Sequence, residues 1–570
     1  MDWALGLMSA VRLRKHLRNV VADADTLGNV CHDTVRQFSR VGSEGQGGMN
    51  CHRDVMKLVC TEQFEHILSA TGDPAIDWMI VPHKMFHFLW STFPDKFSRS
   101  LGLDPQLCFD CWSNLYSSDE GQRLWAEHPH LRGKTPADLR FTAPLTLFQD
   151  AGPFTKKKSF EMVSLAGLLG MGAELDSKIV SMVWLKDEII DYGSSGAWTL
   201  MEESLKCLAR GRGPGRTGRE RTWNELDECL AEKPICGEWC FLLVFGKSDA
   251  EQGTVGWGMP SYNDGDEVCG FCLANRSSTP FTDLSAFARW RSTCSLTREQ
   301  FFNRFTHPLH PIPRSEFATR SFFRPDLMHT NDNNGVINIV AASVINLVLE
   351  SRNPAVPAAL GSTIATRLQA LNDKMASFQR DTNCPSRMPP ITLQSLTLGD
   401  RGTSFSCLHG TLVKAANTRH LLPWIHDVAQ AYLSGTNPLE KSAKKAVESL
   451  NEAVNLLYEA DRFFTAEECD KFEKLVLRFG RHFQAAAFRS RESGGFHFQV
   501  TYKCHALQHI ALYARLINPR FIQNYLEEGL IGKVAQVLRG SSRGPFKRRI
   551  VRTSLAKILI AVQLRYGGFV

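Results

Sequence analysis

Three acidic residues are placed as metal-assisted phosphodiester chemistry would need them. Asp150 follows the apolar run 145–148, Asp249 stands just past the compact run 239–245, and Glu528 lies in the helical stretch 525–532. Cleavage by two cations calls for ions about 3.5–4 Å apart, one activating the attacking oxygen and one stabilising the leaving oxygen. Magnesium takes oxygen ligands. Carboxylates at strand ends and on a facing helix can therefore converge on one spot from distant parts of the chain. The chain carries 59 Asp and Glu residues, and an acid at a strand end commonly serves a turn. Position alone leaves both readings open.

A second constellation is Cys269-Gly270-Phe271-Cys272, whose spacing suits two thiolates on one zinc ion. His505 and His509, one helical turn apart, can supply the other two ligands of a tetrahedral site, with Cys504 and His329 as alternatives. The contrary reading is that both histidines pack beside the acidic helix and bond to backbone. A thioredoxin-like role for the cysteine pair is set aside, since the pair does not open a helix in a βαβ unit. A third constellation is basic. After Glu528 the chain has no acid and carries Arg539, Arg543, Lys547, Arg548, Arg549, Arg552, Lys557 and Arg565. Such a cluster can hold DNA by releasing counterions from phosphates, or it can be the solvated face of a helix that buries Leu555, Ile558, Ile560 and Val562. The loop with Arg210, Arg212, Arg216 and Arg219 reads as exposed. His52-Arg53-Asp54 lacks the other elements of a kinase and is dismissed.

The elements that must position these residues follow from patterning. Residues 1–140 read as mostly helical. The amphipathic spacing of Val11, Leu13, Leu17 and Val20 opens this region, a glycine loop spans 42–48, and Phe86, Phe88, Trp90 and Phe93 form an aromatic stretch. Residues 141–260 hold three apolar runs, 145–148, 160–169 and 179–184, rich in strand-favouring residues. Their short polar breaks predict consecutive antiparallel strands, and the later buried strand 239–245 follows helical stretches at 200–208 and 223–230. Residues 261–500 read as a mostly helical insertion, in which Thr465-Ala466-Glu467-Glu468 has the form of a capping box. Residues 501–570 complete the core with the Glu528 helix and the basic segment.

Composition is globular, 43% hydrophobic and 22% charged with net charge +7. That balance is compatible with a nucleic-acid partner and does not require one. No cationic segment with a long apolar run opens the chain, so its sixteen cysteines are expected to stay reduced and the location to be nuclear or cytoplasmic rather than secreted. The most apolar stretch, 336–349, is read as too short to span a membrane.

The order of these motifs resembles the DDE transposases of the CACTA type. That family places one Asp after the first strand of an RNase H-like sheet, a second after the fourth, and a Glu on a late helix beyond a helical insertion. Residues 145–150 and 239–249 resemble the first two positions. Lys503-Cys504-His505-Ala506-Leu507-Gln508-His509 resembles the family's His-x-x-x-His segment. Tyr525-Leu526-Glu527-Glu528-Gly529-Leu530-Ile531-Gly532 resembles its Tyr-Pro-Phe-Glu-Arg-Tyr-x-Gly box, with Leu526, Glu527 and Gly529 departing from it. The alignment assigns the family's glutamate to Glu528, with Glu527 as the one-residue alternative. Asp326-Leu327-Met328-His329 resembles a further element, an Asp or Cys two residues before a His, so His329 is expected to assist and Asp326 to be an alternative ligand. The resemblance implies an α+β fold: an RNase H-like mixed sheet flanked by helices, with an N-terminal helical region and a large helical insertion. It also implies magnesium or manganese held by Asp150, Asp249 and Glu528, DNA as partner, and cleavage with strand transfer; the structural zinc is read from the Cys/His spacing alone. A homo-oligomer is compatible with it. The alternative is a catalytically silent, domesticated descendant that binds DNA or a protein.

Overall fold

The computed structural model describes residues 66–567 except 73–75, 157, 172–176, 187–195, 216–223, 262, 264, 306–310, 399–404, 411–412 and 542–546, with Leu13, Lys15, Leu17 and Arg18 added near the N-terminus. The glycine loop 42–48, the segment 52–54, Val11, Val20, Arg216, Arg219 and Arg543 lie outside the described residues, as do the side chains of Lys547, Arg548 and Arg549.

The chain folds as a mixed α/β protein around a six-stranded mixed sheet, with seventeen α-helices among the described residues. The strands are β1 (Leu68–Ala70), β2 (Trp78–Ile80), β3 (Thr142–Pro153), β4 (Ser159–Gly167), β5 (Lys178–Leu185) and β6 (Cys240–Lys247), in the spatial order β1-β2-β5-β4-β3-β6. Strands β3, β4 and β5 form an antiparallel meander, as the three apolar runs predict. Strand β6 returns parallel to β3 after the helix Gly196–Arg210. The central strands are buried almost throughout, as expected when both faces of a sheet are covered.

One feature departs from the sequence reading. The region before residue 140 contributes β1 and β2, three residues each, on the β5 edge. Strands that short carry no detectable alternation. The aromatic stretch, by contrast, lies in and just after the helix Pro82–Thr92, with Phe86 and Phe88 in the core.

The hydrophobic interior divides in two. One core joins the sheet to the N-terminal helices, to residues 257–323 and to the C-terminal helices. The other is mostly helical and runs from Leu327 to Ala514, with Leu284 added. The helical unit therefore begins well after residue 261 and ends past 500, because 268–323 packs against the sheet. In that unit Thr465 caps the helix Ala466–Glu492 reciprocally with Glu468, as its capping box predicts. The apolar segment Met328–Glu350, a π-turn Met328–Asp332 followed by the helix Val336–Glu350, is long and apolar enough to cross a membrane by length and composition, yet 83% of its most apolar window is buried inside the protein. Two of its asparagines, Asn338 and Asn346, are satisfied there: Asn338 donates to the Leu408 carbonyl and Asn346 to Ser406 Oγ.

Candidate active site

Strand register brings the first two acids together. Parallel β3 and β6 pair Phe148 with Lys247. Asp150 and Asp249 each stand two residues further on, at the same ends of strands about 4.8 Å apart. Asp150 lies within β3, paired with Met162, rather than after the strand, since β3 continues to Pro153. The Ala151 amide donates to Asp150 Oδ1 at 2.7 Å, and the Gln252 amide donates to Asp249 Oδ1 at 2.6 Å.

The third acid arrives on the helix Tyr525–Ser541. This helix comes close to the end of β3 because residue 152 is glycine: a Cβ there would lie 2.3 Å from Ile531 Cγ2. Ile531 is one turn beyond Glu528, on the same helix face. Asp326 then fixes both the helix and the histidine. Its Oδ1 accepts from the Asn524 amide at 2.9 Å, just ahead of the helix, and its Oδ2 lies 2.8 Å from His329 Nδ1. His329 Nε2 faces Glu528 Oε1 at 3.6 Å. Asp326 is thus a positioning group, and His329 a bridge from it to Glu528.

Charge is distributed unevenly. Burial, followed by the negative charges of Asp249 and Glu528, holds the Asp150 carboxyl well above the ordinary range. Burial also raises Glu528, helped by Asp326 and Asp249 and opposed by His329. Burial would lower His329, but Asp326, Asp249 and Glu528 carry it up to about 9, so the ring is cationic at neutral pH. Among the described residues no lysine or arginine pairs with Asp150, Asp249 or Glu528.

Glu527 is the opposite case. It is 1% exposed, and its Oε1 meets Lys178 Nζ at 3.0 Å and Lys247 Nζ at 2.9 Å. Burial alone would raise it, yet the two ammonium groups bring it down to about 2. Lys178 is itself lowered, by burial first, because one carboxylate is shared between two cations. Glu527 is therefore a buried structural anchor turned away from the acid cluster. Neither a protein-family model nor a curated protein matches this chain.

The four metal-ligand candidates also meet. Cys269, Cys272, His505 and His509 are all buried, and their ligand atoms lie within 4.8 Å of one another. The edges are 3.4 Å for Cys269 Sγ to His509 Nε2, 3.4 Å for Cys272 Sγ to His505 Nε2, and 3.1 Å between the two Nε2 atoms. A tetrahedral zinc with bonds of about 2.3 Å to sulfur and 2.0–2.1 Å to nitrogen requires S···N edges of about 3.5 Å and an N···N edge of about 3.4 Å. The cluster has those dimensions. Burial pushes the Cys269 thiol up, but the Cys272 hydrogen bond and the two histidine rings bring it well below its ordinary value, toward the thiolate a metal needs. Trp290 packs edge-on against His505 at 4.4 Å, and Cys294 Sγ lies 4.0 Å from His509 Nδ1. Of the alternative ligands, Cys504 contacts Thr501 and His329 belongs to the acid cluster.

The basic segment is partly turned inward. Arg552 lies over the Trp78 ring at 5.0 Å, and Lys557 is buried, its pKa lowered by burial to about 8. Arg539 is exposed, with its Nε donating to the Ala535 carbonyl. The helix Lys547–Tyr566 buries Leu555, Ile558, Ile560 and Val562.

Sequence reading missed the polar layer beneath the acids. Glu161 Oε1 accepts from Gln149 Nε2 at 2.9 Å and from Gln252 Nε2 at 2.7 Å, and Trp257 Nε1 donates to Gln149 Oε1 at 2.8 Å. This network sets Gln149 beside Asp150 and Gln252 against Asp249. The available signal was an acid inside the apolar run 160–169, since a buried carboxylate demands partners. A Ser204–His83–Asp227 chain also exists, at 3.0 and 3.4 Å, but Lys84 neutralises Asp227 at 2.6 Å and all four residues are buried in the core. It ties helices together and faces no substrate.

Proposed function

We propose that this chain descends from DDE transposases of the CACTA type, that its sheet is RNase H-like, and that it cuts DNA phosphodiesters with two divalent cations. One observation carries this reading. Asp150 and Asp249 stand at the same ends of two parallel strands and interact with Glu528, with no cationic partner among the described residues other than His329, while adjacent Glu527 is neutralised by two lysines. A fold gains nothing from burying Asp150 beside two further acids without a cation, and such arrangements concentrate at functional sites. Strand order supports the ancestry: three antiparallel strands, with the fourth parallel to the first and an acid at each of those two.

The donor set is all carboxylate oxygen, which suits magnesium or manganese. Bound there, the cations would activate the attacking oxygen and stabilise the leaving one. The protein's own contribution is placement. Asp150, Asp249 and Glu528 would hold the cations, and His329, held by Asp326, faces Glu528. Arg539 and the segment Lys547, Arg548 and Arg549 would hold DNA. The zinc-sized centre of Cys269, Cys272, His505 and His509 would lock 269–272 to the helix Tyr502–Tyr513.

The test is manganese- or magnesium-dependent nicking of plasmid DNA. Asp150→Asn is expected to lose at least about a thousandfold in rate, the effect of removing several kcal/mol of charge stabilisation. Equal nicking by wild type and variant would overturn the enzymatic reading. No nicking by either would leave the silent descendant. For the second centre, metal analysis of the purified protein should find one zinc per chain, lost in Cys269→Ser together with about 2–5 kcal/mol of stability, scaled from the fold's partial dependence on it. Zinc content unchanged by that substitution would contradict the assignment.

A further inference from the structure

A cleft of about 580 Å³ opens beside the acid cluster. Asp249 and His329 are among the residues that line it. Another part of its wall comes from the neighbourhood of the Cys/His centre: Phe271, between the two cysteines, and Tyr502 and Lys503, at the start of the helix that carries His505 and His509. Phe271 is held at 5.6 Å from the His509 ring and 6.0 Å from Tyr513, so the metal-ligand cluster fixes that wall. Lys503 donates to the Asn333 carbonyl at 2.7 Å. An ammonium has three donors, so the bond to Asn333 leaves two for an anion. Asn334 stands exposed at the rim in a left-handed conformation, φ 48°.

Size, lining and charge together narrow the occupant. The volume lies in the range of ligand sites, enough for a base with its sugar and phosphate and too little for a base pair with two backbones. Aromatic faces accept any unpaired base, with stacking worth about 1–3 kcal/mol. Lys503 lines the same cleft as Asp249, so a phosphate held by its ammonium would lie in the space that Asp249 also borders. We infer that this cleft receives one unpaired nucleotide of the DNA substrate, its base against Phe271 and Tyr502 and its backbone directed by Lys503 toward Asp249. The inference rests on the DNA-cutting reading and adds a substrate class: DNA unpaired next to the cut. Extracting a base from a duplex costs a few kcal/mol, least where it is already unpaired, so fully paired DNA should be the poorer ligand.

The experiment uses the full-length Asp150→Asn protein with calcium, to bind without cutting. Oligonucleotide duplexes carry 2-aminopurine either at an unpaired position or fully paired, and affinity is read by anisotropy with base environment read by fluorescence. The unpaired probe is expected to bind at least about tenfold more tightly, with quenched fluorescence from stacking. Adding Tyr502→Ala should remove that preference and the quenching while leaving paired-duplex affinity unchanged, and Tyr502→Phe should restore both. Adding Lys503→Gln should weaken the unpaired probe and keep the quenching, which covers the case in which Tyr502→Ala fails to fold. Equal affinity for the two probes, or a preference indifferent to both residues, overturns the inference. The two readings fail separately. Nicking by the wild type without any unpaired-base preference sinks only the cleft assignment. A Tyr502-dependent preference in a protein that never nicks sinks only the enzymatic reading.

Discussion

Replacing Glu527 with glutamine will destabilise the protein by about 3–5 kcal/mol, the loss expected when one partner of a buried ion pair is removed, whereas Glu528→Gln, one residue on, will stay within about 0.5 kcal/mol of wild type. The asymmetry comes from what each carboxylate meets. Glu527 is sealed between Lys178 and Lys247, which are 8% and 5% exposed, and the amide would leave two buried ammonium groups without an anion. Glu528 is 40% exposed at its side chain and has only His329 across from it. Urea unfolding of the two variants side by side measures this directly. Equal stability losses would mean that the two glutamates have been assigned to the wrong sides of their helix.

The second large effect has the opposite sign. Without divalent cations, Asp150→Asn should be more stable than wild type, by about 0.5–2 kcal/mol, the gain typical of removing a strained functional group. Burial and two neighbouring carboxylates make the Asp150 charge unfavourable in the folded state, and an amide removes it at nearly constant shape. The Ala151 amide keeps an oxygen to donate to. The same substitution that abolishes nicking should therefore raise the melting temperature. A variant less stable than wild type in metal-free buffer would show that Asp150 is a structural acid.

What the sequence disclosed follows from which interactions are local. The runs that became β4, β5 and β6 were legible because β-branched and aromatic residues pack on both sheet faces. The end of β3 was not. Gln149 and Asp150 look like a turn, yet they stay in the strand because Glu161 satisfies Gln149 and β4 continues the ladder to Pro153. Alignment favours Glu528 over Glu527, but the physical reason for the choice was not legible, since the partner that occupies Glu527, Lys247, lies 280 positions away. The Cys/His centre was visible as two half-motifs, and only the packing of the helix Tyr502–Tyr513 against 269–272 joins them across 240 positions. The basic end of the chain misleads for a related reason. Charge count cannot show that Arg552 stacks on Trp78 or that Lys557 is buried.

The central claim is that Asp150, Asp249 and Glu528 share divalent cations, and thermal unfolding with increasing manganese tests it most directly. Wild type should gain stability with concentration, by about 2.7 kcal/mol once manganese reaches a hundred times its dissociation constant, and Asp150→Asn should gain nothing while keeping its higher metal-free melting temperature. Parallel rises in both proteins, or none in either, would contradict a metal site at these three carboxylates.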